Sequence, residues 1–269
     1  MIGDPIAHSK SPAIHGFWLE KLGSEADYRA CHVRPDELQA YLSMRRDDSL
    51  WRGCNVTIPH KQAIIPLLDV IEEKARGVGA VNTVVRQADG VLLGTNTDVD
   101  GVAEAIAGFD PEKRAVVLGS GGAARAAYAC LAAAGCNNAT IMARSADKAL
   151  QAALETGLNA RIVAFEEGTG VFDGAWLVIN ATQLGMTGQT AMPSFVLDEL
   201  AAMGESGLVF DMVYAPLDTA LLKAARTAGL RTSDGLEMLI GQAAHAFARF
   251  FDAMPPRECD TELREVLLA

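Results

Sequence analysis

The chain has 269 residues, of which 50% are hydrophobic and 21% are charged; these values suit a globular protein with room for two domains. The formal net charge is −11, which argues against nucleic-acid binding because no basic face is available to neutralise phosphates. No apolar run reaches the length of a membrane span, and the first residues lack the basic and apolar regions of a signal peptide. We therefore expect a protein that binds neither nucleic acid nor membrane.

Cysteine and histidine are few and scattered along the chain. The five cysteines form no CxxC pair, which favours reduced thiols and a cytoplasmic location. The five histidines show no metal-ligand spacing, so we expect no metal site.

In the first hundred residues, β-branched apolar runs alternate with helical patterns, which predicts an α/β fold with a mostly parallel sheet. We expect strands over 28–33, 54–57, 80–85 and 91–93, and helices over 12–22, 36–45, 59–68 and 70–76. A hairpin turn is expected at 87–90. Ser11 and Pro12 predict a helix start, with the Ser11 hydroxyl as N-cap, and Gly23 predicts the end of that helix.

A second region follows a predicted helix over 99–107 and a polar break over 109–113. Strands are expected over 115–118, 139–142, 161–165, 176–179 and 208–212. The stretch 236–251 has apolar residues at helical spacing, which predicts a long helix that returns to the first domain.

A glycine-rich turn follows the strand predicted over 115–118. The run 119–124 fits the pattern G-x-G-x-x-A and leads into an alanine-rich helix. Its glycines permit a tight turn and let a pyrophosphate approach backbone N–H groups at the helix N-terminus. This context favours dinucleotide binding over a purely structural turn.

The end of the next strand bears on the choice of nucleotide. An NAD site has Asp or Glu there for the ribose 2′-hydroxyl, whereas this strand leads into Arg144 and Ser145, with Lys148 one turn later. Two cations and a hydroxyl suit a 2′-phosphate and favour NADP. The alternative is a pair of solvated surface cations, and the nearby Asp147 weakens the positive field.

Two polar runs follow apolar, strand-like stretches: 55–61, which ends in Lys61, and 96–98, which ends in Asp98. Such positions lie at strand ends, where the clefts of α/β proteins open. A lysine that faces a carboxylate in a cleft transfers a proton at neutral pH if burial lowers its pKa. Together with the glycine-rich turn, this predicts a nicotinamide-dependent alcohol–ketone oxidoreductase. The alternative is an exposed helix lysine paired with a carboxylate.

These motifs resemble those of the shikimate dehydrogenase family, in family order and over nearly the whole chain. The matching runs are 3–12, 55–61, 79–83, 96–98, 180–182, 211–214, 234–239 and 242–244. The chain departs from the family in having only Met1 and Ile2 before Gly3, so that its first strand is expected to be a stub or its start to be trimmed.

The resemblance implies a substrate-binding and catalytic domain over 1–98 with 237–269, a Rossmann-like NADP-binding domain over 99–236, and a cleft between them. It implies reversible NADPH-dependent reduction of 3-dehydroshikimate to shikimate on the route to chorismate and aromatic amino acids, by a monomer or homodimer.

The resemblance also implies residue roles. Lys61 is the acid–base group and Asp98 its partner. Substrate is bound through Ser9, Ser11 and Tyr214 at its carboxylate and through Thr57, Asn82 and Gln242 at its ring hydroxyls. The cofactor site comprises Gly119, Ser120, Gly121, Gly122, Ala123, Arg144, Ser145, Lys148, Met212, Gly235 and Glu73.

Two other functions stay open. A quinate/shikimate dehydrogenase would use NAD and accept an extra ring hydroxyl, which the pair Ser9 and Ser11 and the basic Arg144 argue against. A non-catalytic NADP-binding regulator on the same fold need not keep both Lys61 and Asp98.

Overall fold

The computed structural model describes residues 1–268, apart from the side chain of Glu167. The chain forms two compact units, one of Met1–Thr97 with Ile240–Ala269 and one of Asp98–Leu239. The expected α/β class is confirmed.

The elements follow one another in the order strand, helix, strand for most of the chain. The strands are β1 (Ile2–Gly3), β2 (Cys31–His32), β3 (Gly53–Asn55), β4 (Val70–Ile71), β5 (Thr83–Arg86), β6 (Leu92–Thr95), β7 (Ala115–Leu118), β8 (Ala139–Ala143), β9 (Ala160–Ala164), β10 (Leu177–Asn180), β11 (Leu208–Asp211) and β12 (Arg231–Asp234). The helices are α1 (Ser11–Lys21), α2 (Leu38–Arg46), α3 (His60–Ala63), α4 (Glu73–Val78), α5 (Asp98–Ala105), α6 (Gly122–Ala133), α7 (Ala146–Thr156), α8 (Ser194–Glu199), α9 (Ala220–Thr227), α10 (Gly235–Phe251) and α11 (Asp260–Leu268).

The first unit contains a four-stranded sheet in the order β3-β5-β6-β4. β5 runs antiparallel to both β3 and β6, while β4 is parallel to β6. This mixed pairing differs from the mostly parallel sheet expected for this unit. The cause is the hairpin turn predicted at 87–90, which is confirmed: Gly90 has φ 84°, and Gln87 N–H donates to Val91 O at 2.9 Å.

A second small sheet pairs β1 with β2 in parallel, and Ile2 bridges to Val56 beyond β3. An aromatic cluster packs α1 against the part of α10 that belongs to this unit. His15 stacks on Tyr28 with ring centroids 3.9 Å apart, and Trp18 meets Phe247 edge-on at 5.5 Å. His15, Trp18 and Phe247 are fully buried, so this cluster is the core between the two helices.

The second unit contains a six-stranded, wholly parallel sheet in the order β12-β11-β10-β7-β8-β9. All four residues of β7, β10 and β11 are buried, as expected for central parallel strands. The strand order reverses between β7 and β10. In doubly wound sheets, ligands bind at the carboxyl ends of the strands at such a reversal, which here means beside Gly119 and Ala181.

Three sequence predictions were wrong in detail, and one strand was missed. Residues 70 and 71 form strand β4 rather than a helix, because Val70 and Ile71 pair with β6. The helix expected over 59–68 stops at Ala63 and continues as a 3₁₀ turn over Ile65–Leu67, in which Pro66 has no N–H to donate. The strand expected over 28–33 is only two residues long, because β1 offers only two residues for pairing. β12 was not predicted.

The start of α1 also differs from the prediction. The N-cap is Lys10, without a side-chain cap, and Ser11 is already the first helical residue. Its backbone N–H donates to Ser9 Oγ at 3.2 Å, so Ser9 rather than Ser11 supplies a hydroxyl to the first turn. Pro12 lies in that turn and Gly23 follows the helix with φ 62°, both as predicted.

Candidate active site

Lys61 follows the chain reversal between β3 and α3. Thr57 N–H donates to Ile2 O at 3.0 Å, and His60 N–H donates to Thr57 O at 2.9 Å, which turns the chain into α3. Lys61 is half-buried in the first turn of that helix. Its carbonyl accepts from Val81 N–H at 2.8 Å. The backbone of Lys61 is therefore fixed to the segment that leads to Asn82.

Asn82 is 2% exposed, and its side chain is bound from both sides. Its Oδ1 accepts from Thr97 N–H at 2.7 Å and from the Thr83 hydroxyl at 2.9 Å. Its Nδ2 donates to Thr97 Oγ1 at 3.0 Å. These bonds to Thr83 and Thr97 fix the orientation of the Asn82 amide.

A further layer of polar residues holds Thr83 in place. Asn55 is 4% exposed; its Nδ2 donates to Thr83 Oγ1 at 3.0 Å, and its Oδ1 accepts from the Tyr28 hydroxyl at 2.5 Å. Burial raises the pKa of Tyr28 well above its usual value, so this hydroxyl remains a donor. Asn55, Thr83 and Tyr28 were not predicted as site residues.

The remaining substrate-binding residues predicted in the first unit lie on α1 and α10. Ser9 is half-buried just before α1, and Ser11 is 4% exposed in its first turn. Gln242 is 8% exposed on α10. Glu73, predicted near the cofactor, is the exposed first residue of α4 and belongs to the first unit, whereas the other predicted cofactor residues belong to the second.

The glycine-rich turn joins β7 to α6 in the second unit. Gly119 has φ 106°, and a Cβ added there would lie 2.8 Å from Thr182 Cγ2 and 3.1 Å from Ala181 O. A side chain at this position is therefore excluded both by strain and by space. Gly119 N–H donates to Met142 O at 2.9 Å, and the Tyr128 hydroxyl donates to Gly119 O.

Gly121 and Gly122 are exposed, and a Cβ added at either would meet no atom within 4 Å. They form the first turn of the twelve-residue helix α6, with Ser120 before and Ala123 after them. Helix N–H groups that face open space bind phosphates. This turn therefore fits the pyrophosphate of a dinucleotide.

Arg144, Ser145 and Lys148 follow β8. Arg144 and Lys148 are exposed, and Ser145 is the N-cap of α7, where its Oγ accepts from Lys148 N–H at 3.4 Å. Two exposed cations beside a hydroxyl at the end of the second strand of a doubly wound sheet suit the 2′-phosphate of NADP.

Four further predicted residues remain, of which three follow strands of the second unit and one begins α5. Met212 N–H donates to Asn180 O at 3.0 Å. Gly235, the first residue of α10, is buried, and a Cβ added to it would lie 2.3 Å from Met212 O. Tyr214 is 40% exposed. Asp98 is the half-buried first residue of α5 and directly follows Thr97.

Sequence reasoning missed a set of polar side chains after β10 and β11, here called the Asp211 network: the buried Asn180, Asp211 and Thr219 and the half-buried Thr182. Asp211 Oδ1 accepts from Asn180 Nδ2 at 2.8 Å and from Val213 N–H at 3.1 Å, and Oδ2 accepts from the Thr219 hydroxyl at 2.7 Å. Asn180 Oδ1 accepts from the Thr182 hydroxyl at 2.6 Å and from Thr182 N–H at 3.1 Å. An Asp and an Asn that end apolar strands were the available signal.

Within residues 1–268 there is no group of three or more metal-ligating side chains. No helix in the same residues combines the length and apolarity that a membrane crossing requires.

The doubly wound sheet, with an open glycine turn beside the reversal of strand order, defines an α/β protein of the dinucleotide-binding class. The family model for the shikimate dehydrogenase substrate binding domain matches residues 1–84, and that for the shikimate 5′-dehydrogenase C-terminal domain matches residues 235–262. A protein of Sphingopyxis alaskensis named shikimate dehydrogenase (NADP(+)) is 49% identical over 270 residues, which cover 100% of this chain and 96% of that protein. The chain belongs to the shikimate dehydrogenase family.

Solved structures agree with this membership. Shikimate 5-dehydrogenase from Thermus thermophilus in complex with NADP(H) and shikimate is 36% identical, with a TM-score of 0.83 over 98% of this chain and 97% of that one. Quinate dehydrogenase from Corynebacterium glutamicum in complex with NAD is 31% identical, with a TM-score of 0.83 over 99% of this chain and 96% of that one.

Proposed function

We propose that this protein is an NADP-dependent shikimate dehydrogenase that reversibly reduces 3-dehydroshikimate to shikimate, a step toward chorismate and the aromatic amino acids. The observation that carries the proposal is the 49% identity over the full chain to a protein named shikimate dehydrogenase (NADP(+)). The polar residues held in the first unit and the open glycine turn in the second support it chemically.

The first unit supplies most of the substrate-binding residues in this proposal, with a domain boundary near 98 and a return near 237. Ser9 and Ser11 bind the carboxylate at the N-terminus of α1, where the helix dipole favours an anion. Thr57, Asn82 and Gln242 bind ring hydroxyls, and Tyr214 of the second unit assists at the carboxylate. The oriented amide of Asn82 supports this role, because its Oδ1 already accepts from Thr97 and Thr83.

Lys61 is the acid–base group of the proposed reaction, and Asp98 is its partner. Lys61 donates a proton to the carbonyl oxygen during reduction and accepts it from the hydroxyl during oxidation. Asp98 orients the ammonium group. General acid–base assistance of this kind contributes roughly 10²- to 10⁴-fold to the rate. The fixed backbone of Lys61, bonded to Val81, supports a defined position for its side chain.

When bound, NADPH would supply the hydride for reduction and NADP⁺ would accept it for oxidation. The turn from Gly119 to Ala123 binds its pyrophosphate through backbone N–H groups. Arg144, Ser145 and Lys148 bind the 2′-phosphate. Met212 and Gly235 line the cofactor site, and Glu73 is assigned to the cofactor by the family resemblance.

One alternative has a specific observation behind it. The 31% identical quinate dehydrogenase of similar fold was solved with NAD, so quinate as substrate and NAD as cofactor form the competing pair. The exposed cations Arg144 and Lys148 favour NADP, because a 2′-hydroxyl gives them nothing to bind.

An assay with four substrate–cofactor pairs separates these functions. Purified protein is given shikimate or quinate, each with NADP⁺ or NAD⁺, and the absorbance of the reduced cofactor is followed. The proposal expects the highest kcat/KM for shikimate with NADP⁺. A preference for quinate with NAD⁺ would establish the alternative, and no turnover with any pair would point to a non-catalytic regulator.

Five free cysteines support a reducing, cytoplasmic setting for this reaction. We infer a monomer or homodimer, which light scattering after size exclusion distinguishes.

A further inference from the structure

The carboxylate of Asp211 joins three separate segments of the second unit. Asp211 is fully buried, and its three donors come from Asn180 at the end of β10, from Val213 after β11 and from Thr219 before α9. Burial raises the pKa of Asp211, while the three hydrogen bonds oppose that shift. Loss of this carboxylate would leave three buried donors without their acceptor, which is destabilising.

One branch of the Asp211 network reaches the glycine turn. Asn180 holds both the N–H and the hydroxyl of Thr182, and Thr182 Oγ1 accepts from Leu184 N–H at 3.0 Å. Thr182 Cγ2 lies so close to Gly119 that a Cβ on Gly119 would be only 2.8 Å away. The hydrogen bonds to Asn180 therefore determine where the methyl group of Thr182 supports the turn.

The other branch reaches the backbone on which α10 begins. Val213 N–H is bound by Asp211 at 3.1 Å, and Met212 N–H is bound by Asn180 O at 3.0 Å. Gly235 packs on this dipeptide, since its added Cβ would lie 2.3 Å from Met212 O and 2.8 Å from the Val213 carbonyl carbon. One buried carboxylate thus sets the relative placement of Gly119, Met212 and Gly235.

We propose that Asp211 is a positioning residue for cofactor binding, acting through Thr182 on the glycine turn and through Val213 on the Met212–Gly235 contact. The inference rests on the proposed NADP-dependent function, and it adds Asn180 and Thr182 as side chains through which Asp211 acts.

The test measures NADP⁺ and shikimate affinity separately, by calorimetric titration of the full chain, together with the KM for each. Asp211→Ala should raise Kd and KM for NADP⁺ at least ~10-fold, the equivalent of about one lost hydrogen bond to a charged group, while Kd for shikimate changes less than about 3-fold. Asp211→Asn retains an oxygen for Asn180 and Val213 and an amide for Thr219, so it should restore NADP⁺ affinity to within about 3-fold.

Thr156→Val is the matched control. Thr156 is 7% exposed, and its hydroxyl donates to Ala152 O and Ala153 O within α7. Its loss should lower the thermal stability and leave NADP⁺ affinity unchanged. If Asp211→Ala does not fold, Thr182→Val decides, because it keeps a methyl group beside Gly119 and loses only the hydroxyl; it should weaken NADP⁺ binding several-fold.

The inference would be overturned if Asp211→Ala, or Thr182→Val where Asp211→Ala does not fold, bound NADP⁺ with wild-type affinity. Equal weakening of NADP⁺ and shikimate in proportion to lost stability would also overturn it, because that pattern indicates a general structural role. A wild-type protein that fails to bind NADP⁺ would overturn the proposed function, and the inference with it.

Discussion

At the scale of single residues, the side chain of Lys61 carries the proposed chemistry, while its backbone carbonyl accepts from Val81 N–H at 2.8 Å. Lys61→Ala should lower kcat by roughly 10²- to 10⁴-fold with little change in KM for shikimate, because proton transfer is confined to the chemical step. Steady-state kinetics test this, with Gln62→Ala, an exposed neighbour in α3, as the control. Near-normal turnover of Lys61→Ala would show that Lys61 is not the acid–base group.

Ser9 is a better probe of carboxylate binding than Ser11, because Ser11 is 4% exposed in the first turn of α1. Ser9→Ala should raise KM for shikimate by roughly 10-fold or more, the effect of one hydrogen bond to a charged group. The effect on kcat should be smaller, because the carboxylate is remote from the reacting carbon. Unchanged thermal unfolding is required for this reading, since Ser9 Oγ also accepts from Ser11 N–H at 3.2 Å. Wild-type kinetics in such a stable variant would place the carboxylate elsewhere.

Arg144 is exposed. Because its proposed contact is with the 2′-phosphate, removing its side chain should affect the binding of NADP⁺ and not that of NAD⁺. Arg144→Ala should weaken NADP⁺ roughly 10- to 100-fold and leave NAD⁺ nearly unchanged, because the 2′-phosphate is the only difference between the two. Lys113→Ala, an exposed cation on the amino-terminal side of β7, should affect neither. Equal weakening of both cofactors by Arg144→Ala would show that Arg144 does not bind the phosphate.

The residues most visible in the sequence were those whose role is local. Gly119 was recognisable because a strand precedes it and a helix follows it, and its φ of 106° confirms the turn. The donors of Asp211 come from positions 180, 213 and 219, and no local pattern identifies such partners. The Ser11 cap was wrong for a related reason, because the sequence did not show that Ser9 already binds the first N–H of the helix.

At the scale of elements, central parallel strands were predicted best. β7 was placed with the bounds that the structure shows, because four apolar residues lie between a polar break and glycine. The short edge strand β4 was taken for a helix, because its two residues, Val70 and Ile71, form a strand only by pairing with β6. β12 has no fully buried residue, so it lacked the apolar signal of its neighbours.

The packing of α10 against the segment after β11 can be tested by adding a side chain at the contact. Gly235→Ala should destabilise the protein by about 1–3 kcal/mol, the usual cost of overpacking, because the added Cβ would lie 2.3 Å from Met212 O. Gly16→Ala in α1 is the matched control: a Cβ there meets nothing within 4 Å, so it should stabilise by about 0.5–1 kcal/mol. Chemical denaturation of both variants measures the two effects. Equal stability of Gly235→Ala and wild type would show that α10 can move away from Met212.

At the scale of the whole molecule, acid stability depends on groups that the fold keeps in one protonation state. Burial would by itself raise the pKa of Glu72, but bonds from the Thr95 hydroxyl and from Arg249 give a net lowering. The stabilisation by this paired carboxylate is present above its ordinary pKa and is lost as the pH falls below it. Arg249 lies on α10, so the pair joins that helix to the segment between β4 and α4.

The larger contribution comes from His15. Its ring is fully buried among aromatic side chains and stacks on Tyr28 with ring centroids 3.9 Å apart. Neither ring nitrogen has a hydrogen-bond partner among the described residues. Burial lowers the pKa of His15 to about 3, and the charged N-terminus adds to the shift. Since the unfolded chain binds a proton near pH 6.5 and the folded chain does not, the stability contributed by neutral His15 is complete above that pH. It is lost progressively as the pH falls from 6.5 toward 3.

His15→Phe keeps an aromatic ring in the stack and removes the titration. We expect its free energy of unfolding to fall less than that of wild type between pH 7.5 and pH 4.5, by roughly 2 to 3 kcal/mol, since one pKa unit corresponds to about 1.4 kcal/mol. Because acidic pairs such as Glu72–Arg249 titrate in both proteins, the difference between them isolates His15. Parallel stability curves for His15→Phe and wild type would mean that His15 gains a proton in the folded state at moderate pH, and that the aromatic core between α1 and α10 admits water.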